Sequence, residues 1–191
     1  MNDPASGRPA RRQFLRAGLR RGATLSAVAA LPALALPARA LPAAARDLVM
    51  SHLHTNEHIE IVYARGDRYL PAALESLNHF LRDHYSGAVG RIEPRLHDLL
   101  HAVRAVLGTD RSYEVVSGYR SPATNALLKA TRGGGVATHS LHMEGRAIDV
   151  RVPGVPLADL RDAALSLQAG GVGYYPREQF VHIDTGRVRR W

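Results

Sequence analysis

The segment His139–Asp149, "HSLHMEGRAID", carries two histidines and two acids around a single glycine. The residues "RAIDVRV" at its end alternate, which places Ile148 and Val150 on one face of a strand and Asp149 on the other. Gly145 can turn the chain at the entry to this strand. The stretch therefore predicts a polar loop that leads into a strand with a carboxylate opposite its apolar face.

A second strand pattern carries the same kind of polar group. In "QFVHIDTG", residues 179–186, Val181 and Ile183 share one face, and His182 and Asp184 share the other. An ionisable group among apolar neighbours needs a partner. A metal shared with His142 would supply one, because a catalytic zinc ion keeps about three protein ligands of the imidazole or carboxylate type.

The spacing of His142 and Asp149 alone leaves another interpretation open. A loop histidine could simply form hydrogen bonds, while Asp149 pairs with Arg146 or Arg151. Ser140 could likewise be an ordinary turn residue.

The remaining patterns predict helices between short strands. Apolar residues recur at helical spacing in four segments, whereas the others alternate or are rich in β-branched residues. The elements do not alternate regularly enough for a doubly wound parallel sheet, so the predicted fold class is α+β, with helices packed on a small, mostly antiparallel sheet. The predicted helices are 70–85, 94–108, 121–130 and 156–171, the predicted strands are 58–64, 112–121, 146–152, 171–175 and 179–186, and a glycine-rich loop covers 131–140.

The first forty residues have the pattern of an export signal. Arg11 and Arg12 open the twin-arginine motif "RRQFLR", an uncharged apolar stretch covers 22–38, and small residues follow at 38–40. We expect residues 1–40 to be removed, 41–56 to form a linker with local structure, and 57–191 to form one folded domain. A retained membrane anchor is the alternative, although prolines at 32 and 37 interrupt the apolar stretch.

Charge and cysteine content limit the possible partners. The net charge is +8, but residues 1–40 hold seven arginines and one acid. The mature part is therefore nearly neutral, and a nucleic-acid partner loses its main support. The sequence has no cysteine, so disulfides are excluded even for an oxidising destination.

Three segments together resemble a known family. "SLHMEGRAID" is similar to the S-x-H-x-x-G-x-A-x-D signature of the zinc D-Ala-D-Ala peptidases, peptidase family M15, which share a fold with the Hedgehog signalling domain. Residues 117–125, "SGYRSPATN", resemble the arginine-bearing segment of that family, and residues 171–191 resemble the segment with the third ligand. The resemblance covers nearly all of 50–191, and is strongest to the exported branch of murein endopeptidases that cleave cross-links between diaminopimelate residues.

The resemblance implies a role for each site residue. His142, Asp149 and His182 would bind one Zn²⁺, and Arg120 would bind a substrate carboxylate or the developing oxyanion. Ser140, Tyr119 and His139 are candidates for substrate binding, although Tyr119, Tyr174 and Tyr175 could equally be cleft walls or core residues.

The general base departs from the family pattern. Several members have an acid three residues before the last histidine, where this chain has Gln179. We take Asp184 as the first candidate for the base, with a carboxylate that orients a histidine as the alternative. Glu178 is a second candidate, although in an extended segment it would point to the other face, and His139 is a third.

The resemblance thus implies an exported, periplasmic zinc peptidase that hydrolyses peptide cross-links of peptidoglycan. The alternatives are a D-Ala-D-Ala carboxypeptidase and a non-catalytic module that binds zinc or cell wall. Expected partners are peptidoglycan peptide stems and, during export, the twin-arginine translocase. His97 and His101, four apart on a predicted helix, are interpreted as histidines on a helix surface, because no third ligand lies near them.

Overall fold

The computed structural model describes residues 44–131 and 136–191. These residues all lie in one compact unit. The predicted export signal, 1–40, and residues 132–135 of the predicted glycine-rich loop lie outside the described ranges. Within those ranges, no helix combines the length and hydrophobicity needed to span a bilayer.

Eight strands form one mixed sheet in the order β3-β2-β1-β4-β5-β7-β6-β8. Two neighbouring pairs, β1 with β4 and β6 with β8, are parallel, and the other five pairs are antiparallel. The strands are β1 Ala45–His52, β2 His58–Arg65, β3 Arg68–Tyr69, β4 Tyr113–Ser117, β5 Ala147–Arg151, β6 Gly171–Tyr175, β7 Phe180–Asp184 and β8 Arg189–Arg190.

Four α-helices and one short 3₁₀ helix complete the described fold. Three of the α-helices begin at a proline, whose fixed φ suits the first helical position and whose missing N–H costs nothing there. Gly108 ends the second helix in the left-handed conformation, with φ of 61°. The helices are α1 Pro71–Phe80, α2 Pro94–Leu107, α3 Pro122–Thr131 and α4 Leu157–Ser166, and the 3₁₀ helix is Leu141–Glu144.

These elements confirm the α+β prediction and most predicted positions. The first helix is shorter than the sequence pattern suggests, because it ends at Phe80 rather than near residue 85. The carboxylate of Asp83 instead accepts a hydrogen bond from the backbone N–H of Ser121, at 3.0 Å. This contact turns the chain toward the segment that carries Arg120.

The predicted linker at 41–56 is wrong for most of its length. Residues 45–52 form β1, which pairs with β2 on one side and β4 on the other. Leu48, Met50 and His52 are buried in alternation. The short apolar run of residues 48–50 gave a weak strand pattern after an alanine-rich stretch, yet this segment lies in the interior of the sheet.

The interpretation of His97 as a surface residue is also wrong. His97 lies on α2 and is fully buried, with its ring 5.7 Å from the ring of Tyr63. Neither ring nitrogen has a hydrogen-bond partner among the described residues. Helix α2 therefore buries a wider face than its leucines alone define. His101 is half-buried, and its Nδ1 lies 3.1 Å from the carbonyl of Asp47.

The fold positions the polar cluster through strand β5 in the middle of the sheet. Ile148 and Val150 belong to the hydrophobic core. Asp149 lies between them in sequence and therefore faces the other side of the sheet. In the register of β5 and β7, Asp149 is directly opposite His182, so these two side chains share a face.

Candidate metal centre and catalytic cleft

The turn at Gly145 fixes His142. Gly145 ends the 3₁₀ helix with φ of 65°, and a Cβ atom there would lie 2.0 Å from the carbonyl oxygen of Arg91. Its own carbonyl accepts a hydrogen bond from the backbone N–H of Glu93, at 2.9 Å. The loop is thus held against residues 91–93, and the buried His142 is held with it.

Three donor atoms from separate elements converge on one point. Asp149 Oδ1 lies 2.8 Å from His182 Nδ1, and His142 Nε2 lies 3.3 Å from each of these two atoms. His142 is 3% exposed and Asp149 is 7% exposed, so little water reaches either group. Among the described residues, this is the only group of three or more potential metal ligands at such distances.

The outer nitrogen of each histidine determines which atom faces the cluster. His142 Nδ1 lies 2.7 Å from the carbonyl oxygen of Gly118, which can only accept, so Nδ1 donates and Nε2 keeps a free lone pair. His182 Nε2 lies 3.1 Å from the carboxylate of Asp184, so Nε2 donates and Nδ1 faces inward. Both outer contacts are those that orient metal-binding histidines.

This arrangement fits a metal ion. With neutral imidazoles, two nitrogen lone pairs and one carboxylate oxygen meet with no proton between them, which is unfavourable unless a cation is bound. Tetrahedral zinc with bonds of about 2.0 Å separates its ligand atoms by about 3.3 Å. Two of the three separations have that value.

The pKa values in the metal-free protein reflect the close approach of these three side chains. Burial raises the pKa of Asp149, but the neighbouring His142 and His182 outweigh burial and hold this pKa well below its usual value. Burial lowers the pKa of His182, but Asp149 and Asp184 outweigh it and raise this pKa to about 9. Without a metal, the cluster therefore holds a proton where a cation would bind.

The carboxylate of Asp184 lies behind His182 and accepts several hydrogen bonds. It is completely buried and accepts hydrogen bonds from the backbone N–H groups of Gly171 and Gly186, at 3.1 and 2.7 Å. Arg189 Nη2 donates to it at 2.7 Å. These contacts leave Asp184 on the side of the His182 ring that faces away from the cluster. The position of Asp184 therefore agrees with the second role considered for it, a carboxylate that orients His182, rather than with a general base.

A cleft of about 770 Å³ opens over the cluster. Arg120, His139 and Ser140 line it from the loops that follow β4 and precede the 3₁₀ helix. Arg120 is half-buried, and its backbone N–H donates to the carbonyl of His142 at 3.2 Å. Ser140 is buried and His139 is exposed. The structure therefore brings these three residues together with the three potential ligands.

Tyr119 is not among the residues that line this cleft. Its ring packs against Gly90, where a Cβ atom would lie 2.3 Å from Tyr119 Cδ2, and it contacts the hydrophobic core. This position agrees with the alternative that Tyr119 is a core residue rather than a substrate-binding residue.

The hairpin between β6 and β7 overturns the expected orientation of Glu178. Gln179 has φ of 61°, and its side-chain amide donates to the carbonyl of Pro176. The segment is therefore not extended, so the alternation that would turn Glu178 away does not apply. Glu178 lines the cleft, whereas Gln179 does not.

The sequence analysis missed three cleft residues on the sheet side. Phe180, Arg189 and Trp191 line the cleft together with Tyr175. The Trp191 ring lies 5.2 Å from the ring of His182. Phe180 and Arg189 lie within two to seven residues of His182 in sequence, but only the pairing of β6 with β8 shows that residue 191 returns to it.

The described residues place two histidines and one carboxylate, a candidate metal centre, at the bottom of a cleft lined by Arg120 and Arg189. Comparison with known families gives a narrower assignment. Residues 41–191 match the peptidase M15 family model described as "Peptidoglycan L,D-endopeptidase MepK". The chain belongs to this family, which confirms the resemblance seen in the sequence motifs.

Individual relatives agree with this assignment. The chain is 46% identical over 146 residues to the peptidoglycan L,D-endopeptidase MepK of Escherichia coli K12, an alignment that covers 76% of this chain and 80% of the relative. The protein of the same name from Shigella flexneri gives the same values. The probable peptidoglycan L,D-endopeptidase MepK of Haemophilus influenzae is 38% identical over 147 residues, covering 76% of this chain and 78% of the relative.

Proposed function

We propose that this protein is an exported, zinc-dependent endopeptidase that hydrolyses peptide cross-links of peptidoglycan, between two diaminopimelate residues. The single observation that carries the proposal is the convergence of His142 Nε2, Asp149 Oδ1 and His182 Nδ1 at metal-binding distances beneath the cleft. Family membership supplies the substrate class, since the relatives are named as peptidoglycan L,D-endopeptidases.

Family membership favours zinc over other divalent metals, and the set of donors is compatible with it. Imidazole nitrogen and carboxylate oxygen are ordinary zinc ligands, and three protein ligands leave one position open. When bound, the ion would polarise the scissile carbonyl and lower the pKa of water in the cleft toward neutrality. The residues of the chain then have two further tasks, to move a proton and to hold the developing negative charge.

Glu178 is the residue we assign to proton transfer. Among the described residues, it is the only carboxylate besides Asp149 that lines the cleft, and it is exposed to solvent. Asp184 is less suitable, because its oxygens already accept several hydrogen bonds on the far side of His182. His139 also lines the cleft and is the second candidate.

Arg120 is suited to bind negative charge in the cleft. Its guanidinium stays charged at any working pH and offers several donors in one plane. Its backbone bond to His142 fixes the start of the side chain beside the candidate metal centre. We assign it to a substrate carboxylate or to the oxyanion that forms when water attacks the carbonyl.

The sequence supports a location for this activity. The twin-arginine pattern at 11–16 supports export by the twin-arginine translocase to the periplasm, where peptide stems of peptidoglycan are accessible. The near-neutral charge of residues 41–191 argues against nucleic acid as a partner.

The test uses purified protein with defined muropeptides. Bound metal is measured first, and the protein is then incubated with cross-linked and uncross-linked muropeptides, with and without a chelator. We expect cleavage of the diaminopimelate cross-link that stops with the chelator and returns with zinc. Loss of only a terminal D-alanine would identify a carboxypeptidase instead. Bound zinc without cleavage of any muropeptide would identify a binding module.

A further inference from the structure

Strand β8 brings Trp191 back to the candidate metal centre. The backbone N–H of Trp191 donates to the carbonyl of Val172 at 3.3 Å, and its carbonyl accepts from the N–H of Tyr174 at 3.0 Å. The indole covers Gly173, where a Cβ atom would lie 2.7 Å from the indole carbon Cε2. A residue with a side chain at position 173 would therefore displace the indole.

The indole is fixed and yet remains accessible. Its Nε1 donates to the hydroxyl of Tyr175 at 2.7 Å, and the guanidinium of Arg189 lies 4.7 Å from the indole ring. Nevertheless, 49% of Trp191 is exposed. A large apolar surface held in one orientation beside a reactive centre is a typical binding surface, because it gains contact area with little loss of side-chain entropy.

Two more aromatic residues extend this surface. The rings of Tyr175 and Phe180 stack with centroids 4.5 Å apart and planes at 18°. We call Trp191, Tyr175 and Phe180 the aromatic wall. All three line the cleft, together with polar residues such as Arg120 and Glu178. The cleft thus offers apolar faces and charged groups to the same ligand.

We propose that the aromatic wall is a substrate subsite, which packs against the aliphatic part of the amino-acid side chain adjoining the scissile peptide bond. The inference rests on the proposed function and specifies how that site recognises its substrate. Diaminopimelate has a methylene chain between two charged ends, which suits apolar rings flanked by charged side chains.

Aromatic rings also bind sugars, but the position of the wall favours a peptide side chain. The Trp191 ring lies 5.2 Å from the ring of His182, so a group that contacts it lies within about one residue of the bond to be cleaved. The glycan of peptidoglycan is separated from its cross-links by the peptide stem. A sugar at the wall would therefore be too far from its own cross-link.

The first test uses the fluorescence of Trp191, which is the only tryptophan in the sequence. The unmodified protein is titrated with a sugar-free stem peptide that ends in diaminopimelate, and separately with the peptidoglycan disaccharide. We expect a saturable change of emission with the peptide and none with the disaccharide. The reverse result would make the wall a sugar-binding surface and overturn the proposal. A peptide that binds without changing the emission would also overturn it.

The second test compares Trp191→Ala with Trp191→Phe. We expect Trp191→Ala to raise KM for the cross-linked muropeptide about 3- to 10-fold, with unchanged bound zinc and little change in kcat. Trp191→Phe should recover most of the affinity. Leu127→Ala is the matched control, since Leu127 is 55% exposed on α3 and does not line the cleft.

The outcomes separate this inference from the proposed function. Hydrolysis with unchanged KM in Trp191→Ala would overturn the subsite and leave the endopeptidase intact. Loss of zinc or of kcat alone would show that Trp191 acts only by holding His182, which also overturns the subsite. If the unmodified protein cleaves no muropeptide but its fluorescence still saturates with the stem peptide, the proposed function fails, whereas binding of the stem peptide at the aromatic wall is supported.

Discussion

At the scale of single residues, the two histidines of the cluster present different nitrogens. His142 faces the cluster with Nε2 because the carbonyl of Gly118 binds Nδ1, and His182 faces it with Nδ1 because Asp184 binds Nε2. The motif predicted which residues could meet, but not which atoms. For His182 the choice depends on Asp184, whose shared face the strand pattern predicts, but for His142 it depends on the carbonyl of Gly118, 24 residues away, which no local pattern reveals.

Replacing Glu178 tests the assignment of the proton-transfer group. Glu178→Gln keeps the shape of the side chain but cannot accept a proton at neutral pH. We expect kcat for cross-link hydrolysis to fall about 100- to 10,000-fold, with zinc content and thermal stability unchanged. Gln179→Glu, in the otherwise native protein, is the companion variant, because it restores the acid that several family members have three residues before the last histidine. If Glu178→Gln retains full activity, proton transfer belongs to another group, with His139 next to be tested.

Replacing Asp184 should have a different effect. In Asp184→Asn the side chain still fits, but Arg189 loses its ion pair and His182 loses an anionic acceptor. We expect zinc affinity to fall about 10- to 100-fold, while activity recovers at saturating zinc. Zinc affinity is measured by competition with a chromogenic chelator. Lost hydrolysis at full zinc occupancy would instead make Asp184 the general base.

At the scale of elements, the turn into β5 carries the tightest geometric requirement. A side chain at Gly145 would need φ of 65° and would meet the carbonyl of Arg91 at 2.0 Å. We expect Gly145→Ala to displace the 3₁₀ helix and with it His142. The loss in free energy of zinc binding should then exceed the loss in free energy of unfolding. We expect the latter to be about 1–3 kcal/mol. Gly87→Ala is the control, because φ is 74° there but the added Cβ meets nothing within 4 Å.

The β6–β7 hairpin shows where element-scale prediction failed. The alternation of "QFVHIDTG" correctly predicted the shared face of His182 and Asp184, because period-two patterns hold within a paired strand. The same rule failed just before β7, where Gln179 is left-handed. Glutamine gives no sign of such a conformation in sequence, since glycine and asparagine are its usual residues.

Replacing Gln179 should therefore stabilise the hairpin slightly. Gln179→Gly removes the cost of a left-handed side chain, although the amide bond to Pro176 is also lost. We expect the free energy of unfolding to rise by no more than about 1 kcal/mol, with activity retained. Chemical denaturation and the cross-link assay measure the two quantities. A large loss of activity would show that the Gln179 side chain itself has a role.

At the scale of the whole molecule, the cluster joins parts of the chain that are distant in sequence. His142 comes from the 3₁₀ helix, and Asp149 and His182 come from the neighbouring strands β5 and β7, so bound zinc should stabilise the fold. With free zinc about 1,000-fold above its Kd, the expected gain is about 4 kcal/mol. Calorimetry with zinc or chelator measures it. His142→Ala should abolish the difference, and a persistent difference would indicate zinc binding elsewhere.

The buried His97 should make the protein sensitive to acid. Burial lowers the pKa of His97 to about 4, whereas the unfolded chain has the ordinary value of about 6.5. The unfolded state therefore binds more protons between these values, and stability falls as the pH drops through this range. The loss can reach about 3 kcal/mol.

Unfolding in urea at pH 7 and pH 5, with chelator present, tests this contribution. His97→Leu should reduce the difference in stability between the two pH values, whereas the exposed His79→Asn should not. An unchanged difference in His97→Leu would place the acid sensitivity at other groups, such as the buried His52, whose pKa burial also lowers to about 4.

Most helices and strands were predictable from local sequence patterns, whether long or short. The helical patterns gave all four α-helices, and the strand patterns gave β2, β4, β5, β6 and β7. Strand β1 and the return of β8 were missed, because their positions depend on pairing with residues distant in sequence. Membership of the cleft likewise depends on such pairing for Trp191 and Arg189.

His142 presents Nε2 to the cluster and His182 presents Nδ1, and this difference has a practical consequence for engineering. A glutamine side chain can place its carbonyl oxygen near the position of Nε2, and an asparagine side chain can place it near that of Nδ1. His142→Gln and His182→Asn are therefore the isosteric exchanges, and the opposite pairing would leave each oxygen misplaced. Because carbonyl oxygen favours harder ions such as Mn²⁺ or Mg²⁺, the isosteric pair offers a route to an altered metal preference within the same fold.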